Sequence, residues 1–97
     1  MDGRPPIEPR GTAGAVLVKG AIYLFGGESQ ASQRVLDSVL RLDSGATTWA
    51  ADTPMPTARN FARVVFFKGA VYVVGGSTAY GSSHASRGSG VVESLRP

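Results

Sequence analysis

The stretch Lys68-Gly69-Ala70-Val71-Tyr72-Val73-Val74-Gly75-Gly76 decides the fold, because the chain contains it twice. The earlier copy, Lys19-Gly20-Ala21-Ile22-Tyr23-Leu24-Phe25-Gly26-Gly27, lies 49 positions upstream. From Arg10–Gly27 to Arg59–Gly76, 9 of 18 aligned residues are identical, and most of the others exchange one apolar side chain for another. A fixed period of this size indicates a repeat architecture, in which each copy is one supersecondary unit that buries apolar surface against its neighbours.

The composition of the 97 residues favours an all-β globular chain. Hydrophobic residues make up 42% of the sequence, and its 13 glycines favour turns over helices. The ten basic residues are scattered singly, so the net charge of +3 forms no stripe that would suit a nucleic-acid backbone. The absence of cysteine excludes disulfides and thiolate metal sites. We therefore expect neither a nucleic-acid partner nor a cofactor.

The sequence carries no recognisable targeting signal. Residues 1–6 have no apolar core of the signal-peptide kind, and no run approaches the about 18 apolar residues of a membrane-spanning helix. A chain without cysteine is tolerated in oxidising and reducing surroundings alike, so the composition does not indicate a cellular compartment. We expect no membrane partner.

Each copy opens with two short apolar runs joined by a Lys-Gly pair. In the first copy the runs are 13–18 and 21–25, and in the second they are 62–67 and 70–74. Two such runs around a two-residue turn containing glycine predict a β-hairpin. Neither run alternates polar with apolar residues, which predicts strands buried on both faces, as in a sheet stacked between two other sheets.

The remainder of the first copy predicts two further strands of increasing polarity. A third strand is expected at 35–42, and a fourth at 47–51 before the prolines of Thr53-Pro54-Met55-Pro56. In the second copy a longer loop, 77–90, leads to Val91–Leu95, which echoes Val35–Val39, and the chain ends before a counterpart of Trp49. We divide the chain into a Pro-rich lead-in at 1–9, a first repeat at 10–58 and a second repeat at 59–97 that lacks its outer strand.

This pattern resembles the kelch repeat over nearly all of residues 5–97. The residues that carry the resemblance are the double glycines, the aromatic residue before each of them, the tryptophan and the arginine that opens each copy: Gly26, Gly27, Gly75, Gly76, Tyr23, Tyr72, Trp49, Arg10 and Arg59. The resemblance implies four-stranded antiparallel blades of a β-propeller, here an incomplete ring of two blades with the second truncated. One departure is Val39, which stands where the family often has tyrosine.

We interpret the motif residues as structural. The large apolar side chain of Trp49 is expected to pack between two adjacent sheets. Arg59 follows the connection between blades, where its five N–H donors suit loop carbonyls. Neither residue is expected to contact a ligand.

The resemblance places the binding face on the loops between the second and third strands and on the connections into each first strand. Carried onto this sequence, that implies binding candidates at Glu28, Asn60, Phe61, Ser77, Tyr80, His84 and Arg87. The last three combine an aromatic face, a titratable ring and a fixed cation, which suits a sugar or an acidic peptide. The alternative is that this Gly/Ser-rich loop is simply solvated.

We expect a non-enzymatic module that binds a protein or glycan partner. The alternative is a part of a kelch-type sugar-active enzyme such as a sialic acid mutarotase; resemblance to galactose oxidase fails because that enzyme needs a cysteine. His84 is the only histidine, so no imidazole metal centre is expected within one chain.

Two blades pack against each other once and leave two apolar faces bare, which predicts poor behaviour as a monomer. The expected explanation is a fragment whose partners are the remaining blades. The alternatives are copies that complete each other's ring, and a degraded chain that aggregates.

Overall fold

The computed structural model describes residues 10–78, Tyr80 and residues 92–95, and these contain nine β-strands and no helix. The prediction of an all-β chain is confirmed. The strands are β1 (Gly14–Val18), β2 (Ala21–Phe25), β3 (Glu28–Ser29), β4 (Arg34–Val35), β5 (Val39–Leu42), β6 (Ala50–Asp52), β7 (Arg63–Phe67), β8 (Ala70–Val74) and β9 (Val92–Leu95).

The strands form two antiparallel blades. The first blade is a four-stranded sheet in the order β1-β2-β5-β6, with the small hairpin β3-β4 inserted between its second and third strands. The second blade contains β7-β8-β9 among the described residues. The blades of antiparallel strands predicted from the resemblance are therefore present, in an open ring.

The Lys-Gly pairs turn the first hairpin of each blade. Lys19 and Gly20 have φ of 51° and 83°, and Lys68 and Gly69 have φ of 49° and 83°. Positive φ at both central residues defines the two-residue hairpin turn whose twist matches that of the flanking strands. The turns place Val18 opposite Ala21 and Phe67 opposite Ala70.

The third and fourth strands of the first blade are shorter than predicted. Residues 36–38 leave the sheet, and their carbonyl oxygens instead accept hydrogen bonds from Arg59 N (3.1 Å), Met55 N (2.8 Å) and Gly26 N (2.9 Å). The fourth strand begins only at Ala50. Trp49 precedes it, is partly buried and lies outside the core cluster between the two blades, so the packing expected of it is not made at this interface.

The repeat alignment of the third strands also differs from the prediction. In the second blade Val92 lies opposite Val74. In the first blade Val39 lies opposite Phe25, which is the repeat counterpart of Val74. Val92 is thus equivalent to Val39 and not to Leu36. Sequence similarity alone misaligned the strands because short Val/Leu-rich runs match in several registers.

The core lies between the two blades, which bury opposite faces. We define face A as the side of a blade that carries Val16, Val18, Tyr23 and Phe25 or their counterparts 49 positions later, and face B as the other side. Face A of the first blade supplies Val18, Ala21, Tyr23, Phe25 and Val39 to the core, and face B of the second supplies Val71 and Val73. Met55, from the connection between the blades, completes the cluster.

Each blade has one covered face among the described residues, as expected for two blades that pack once. Within β2, Ala21, Tyr23 and Phe25 are buried whereas Ile22 is 39% exposed. The strands that lack a polar face in the sequence therefore expose apolar side chains on the side away from the other blade. No helix in the described part of the chain is long and apolar enough to cross a membrane.

Candidate functional site on the loop face

The arginine that opens each repeat is bound to the end of the second strand. Arg10 Nη1 donates to the carbonyl oxygen of Gly26 at 3.0 Å, and Arg59 Nη1 donates to that of Gly75 at the same distance. Arg59 is fully buried and Arg10 is partly buried. Each arginine therefore holds the connection into a first strand beside the loop that leaves the second strand.

The double glycines make this close approach possible. Gly26 and Gly27 have φ of 62° and 99°, in the region that favours glycine. A side chain on Gly26 would collide with the carbonyl oxygen of Arg59, and one on Gly27 with that of Gly11. A side chain on Gly76 would likewise collide with the carbonyl oxygen of Asn60.

Two equivalent backbone pairs follow the glycines. Gly11 and Glu28 exchange two N–H···O bonds of 3.0 Å each, and Asn60 and Ser77 exchange two of 2.9 and 2.8 Å. Gly11 and Asn60 are repeat counterparts, as are Glu28 and Ser77. The same local construction thus appears once in each blade.

Further bonds connect the loops of one blade with those of the other. Asn60 Nδ2 donates to Glu28 Oε1 at 2.6 Å, and the backbone N–H of Phe61 donates to the carbonyl oxygen of Thr12 at 3.0 Å. Gly27 N donates to the carbonyl oxygen of Arg59 at 2.9 Å. We call this continuous surface, formed by residues 10–12, 26–31, 59–61 and 77–78, the loop face.

The predicted binding residues differ in their exposure on the loop face. Asn60 and Ser77 are fully buried, so they brace the loops from beneath. Glu28 is partly buried, whereas Phe61 exposes 46% of its surface. Of these four residues, Phe61 and Glu28 therefore reach the surface of the loop face, and Asn60 and Ser77 do not.

Phe61 also has an unusual backbone conformation. Its φ is 56°, and its repeat counterpart Thr12 has φ of 58°. Residues other than glycine, asparagine and aspartate rarely adopt positive φ, and such conformations are concentrated at functional sites. Because Thr12 shares it, the conformation belongs to the connection into each first strand, and at Phe61 it carries an exposed aromatic ring.

A groove lies beside these residues. It has a volume of about 700 Å³ and is lined by Arg10, Gly11, Thr12, Glu28, Gln30 and Ala31. Its lining contains a cation, an anion and an amide. Gln30 lies in the loop 28–34, which the resemblance placed on the binding face, although it was not singled out there. The sequence analysis missed Thr12, to which the 49-residue offset from Phe61 would have pointed.

The remaining predicted residues are not brought into this site by the described structure. Tyr80 lies in a turn and is partly buried. His84 and Arg87 lie outside the described residues, so the combination of these three side chains stays a prediction. Among the residues that the structure describes, no group of His, Cys, Asp and Glu side chains has the arrangement of a metal site.

One charged cluster lies away from the loop face, at the end of the first blade where β2 begins. Arg41 Nε is 2.9 Å from Asp43 Oδ1, and Arg41 Nη1 is 3.4 Å from Asp52 Oδ2. The hydrogen bond with Asp43 raises the pKa of Arg41 above its ordinary value. Because arginine is already cationic at every physiological pH, this shift does not change the charge of Arg41.

Comparison with known proteins supports the interpretation of the repeats. Residues 9–56 match the family model described as Kelch motif. Kelch-like protein 40a from Danio rerio is 38% identical over an alignment of 78 residues, and the match covers 78% of this chain and 13% of that protein. The match thus spans a small part of the curated relative.

Proposed function

This chain belongs to the kelch-repeat family, and we propose that it is a non-enzymatic interaction module that binds a protein partner through its loop face. The observation that carries the proposal is the exposed, backbone-strained Phe61. The groove beside the loops and the braced carboxylate of Glu28 give the same face its polar specificity.

Phe61 provides an apolar anchor. Aromatic residues are enriched among the side chains that contribute most to binding at protein interfaces. The hydrogen bond from Phe61 N to Thr12 O fixes its backbone against the neighbouring blade. A backbone held in place before binding loses little conformational entropy when a partner covers the ring.

The groove provides polar recognition next to this anchor. Arg10 and Glu28 line it with opposite charges, and Asn60 orients the Glu28 carboxylate through a 2.6 Å hydrogen bond. Such a lining suits a peptide backbone and polar side chains better than an apolar ligand. We therefore propose that the partner presents an apolar side chain to Phe61 and an extended polar segment to the groove.

The proposal can be tested without knowing the natural partner. A displayed library of random peptides is selected on the wild-type chain, and the enriched peptides are titrated against Phe61→Asn and Glu28→Gln. We expect affinity to fall by about tenfold or more for each variant, equivalent to about 1.4 kcal/mol. Thr47→Ala, at an exposed position outside the loop face, serves as the control. Enriched peptides that bind all four proteins equally would overturn the proposal.

A further inference from the structure

The interface between the two blades shows what kind of surface each open face can pack against. Face A of the first blade covers face B of the second, with Tyr23 and Phe25 on one side and Val71 and Val73 on the other. Because the two blades are repeats, each open face has a counterpart in this interface. Face B of the first blade corresponds to the covered face B of the second, and face A of the second to the covered face A of the first.

The open face B of the first blade is apolar throughout. Leu17 and Ile22 are 67% and 39% exposed, and Ile22 is the counterpart of the buried Val71. By strand register this face consists of Ala15, Leu17, Ile22, Leu24, Leu40, Leu42 and Ala51. An apolar surface that extends across a four-stranded sheet is typical of an interaction site.

The open face A of the second blade is also largely apolar. Val65, Phe67 and Val74 are 49%, 58% and 40% exposed, and Tyr72 is partly buried. They are the counterparts of Val16, Val18, Phe25 and Tyr23, which lie in the observed interface. The two open faces therefore carry the two halves of an interface that the chain already forms internally.

The sizes of the side chains also complement each other. In the observed interface Gly14, on face A, lets the side chain of Val64, on face B, approach so closely that a Cβ on Gly14 would collide with it. The equivalent pair between the open faces is Arg63 on face A and Ala15 on face B, with the large residue now on the other side. Arg63 is the first residue of β7, so its aliphatic stem can cover Ala15 while its charged end stays in water at the edge of the contact. Each pairing combines a large with a small residue, as close packing requires.

We infer that the open face A of the second blade docks on the open face B of the first blade in a second copy of this chain. The contact is head to tail, so it leaves one open face at each end and continues until a ring closes. The inference is independent of the proposed function, because it uses the sheet faces and not the loop face.

Complementary variants test the inference. Leu17→Asp blocks face B and Phe67→Asp blocks face A, and both residues are well exposed within one chain, so the fold of the single chain is retained. A charge buried in an apolar contact without a partner is costly. We expect each variant alone to be monomeric at 10.1 kDa, with the dissociation constant of self-association raised about 100-fold or more.

The decisive measurement is the mass of the mixture by light scattering on a size-exclusion column. Each variant retains the face that the other has lost, so an equimolar mixture is expected to form a 1:1 dimer of twice 10.1 kDa and to grow no further. Wild-type chain and the Thr47→Asp control are expected to form larger multiples. Circular dichroism of each peak shows whether the chain is folded. The pair Leu17→Thr and Phe67→Thr repeats the test with threonine, which forms strands well. A folded wild-type monomer, or a mixture that stays monomeric, would overturn the inference.

Discussion

Arg59 is completely buried, and its Nη2 lies 2.6 Å from Oε1 of Glu93 in β9. The other carboxylate oxygen of Glu93 accepts a 2.7 Å hydrogen bond from Thr57. The ion pair thus connects the entry to the second blade with its third strand. A buried cation of this kind depends on its partner for charge compensation.

Replacing Glu93 by glutamine should destabilise the fold strongly, because the substitution keeps the shape of the side chain but removes the carboxylate charge 2.6 Å from the buried Arg59. We expect the free energy of unfolding to fall by about 3–5 kcal/mol. Urea denaturation followed by circular dichroism measures it. Asp43→Asn removes one of the two carboxylates beside the partly exposed Arg41 and should change stability little. Equal effects of the two substitutions would contradict the structural role of the buried pair.

The double glycine should tolerate no side chain, for a reason that goes beyond its backbone angle. Gly26 and Gly45 both have positive φ, but only Gly26 faces a carbonyl oxygen where its Cβ would be. We expect Gly45→Ala to cost about 1–2 kcal/mol for the left-handed conformation alone. Gly26→Ala should cost about 1–3 kcal/mol more, because the connection at Arg59 must move. Chemical denaturation of both variants measures the difference, and equal losses would show that the contact is unimportant.

The hydrogen bond between Asn60 and Glu28 should couple the two blades energetically. We expect a double-mutant cycle with Asn60→Ala and Glu28→Ala to give a coupling free energy of about 1 kcal/mol, since Glu28 is only partly buried. The measurement is the free energy of unfolding of the wild type, both single variants and the double variant. A cycle between Asn60 and the distant Asp43 should give no coupling. Additive effects at Asn60 and Glu28 would show that the bond contributes nothing.

Phe61 and Phe67 are both exposed phenylalanines, yet asparagine should affect them in opposite directions. At Phe61 the backbone has positive φ, which asparagine tolerates better, so Phe61→Asn should leave the free energy of unfolding unchanged or raise it by up to about 1 kcal/mol. At Phe67, within β7, asparagine should lower it by about 1 kcal/mol. Thermal denaturation of both variants and of the wild type shows whether each substitution raises or lowers the free energy of unfolding. A loss at Phe61 as large as that at Phe67 would mean that its conformation carries no strain.

Much of the candidate site could be located from sequence, because the resemblance placed the loop after each second strand and the connection into each first strand on one face. Glu28, Asn60, Phe61 and Ser77 lie on one surface. Their separate roles were not predictable, since no sequence pattern distinguishes the buried Asn60 and Ser77 from the exposed Phe61. Gln30 joins the groove only because the β3-β4 hairpin returns the chain to this point.

By itself the sequence determined the local structure: the repeat, the Lys-Gly hairpin turns and the glycines that end each second strand, because these depend on residues that are neighbours along the chain. The tertiary structure alone decided which side of each sheet is covered. Tyr23 and Tyr72 occupy the same place in the repeat, yet Tyr23 is buried in the core and Tyr72 is only partly covered. The physical reason is that burial of a sheet face depends on the blade that packs against it, and in this structure the two blades meet through opposite faces.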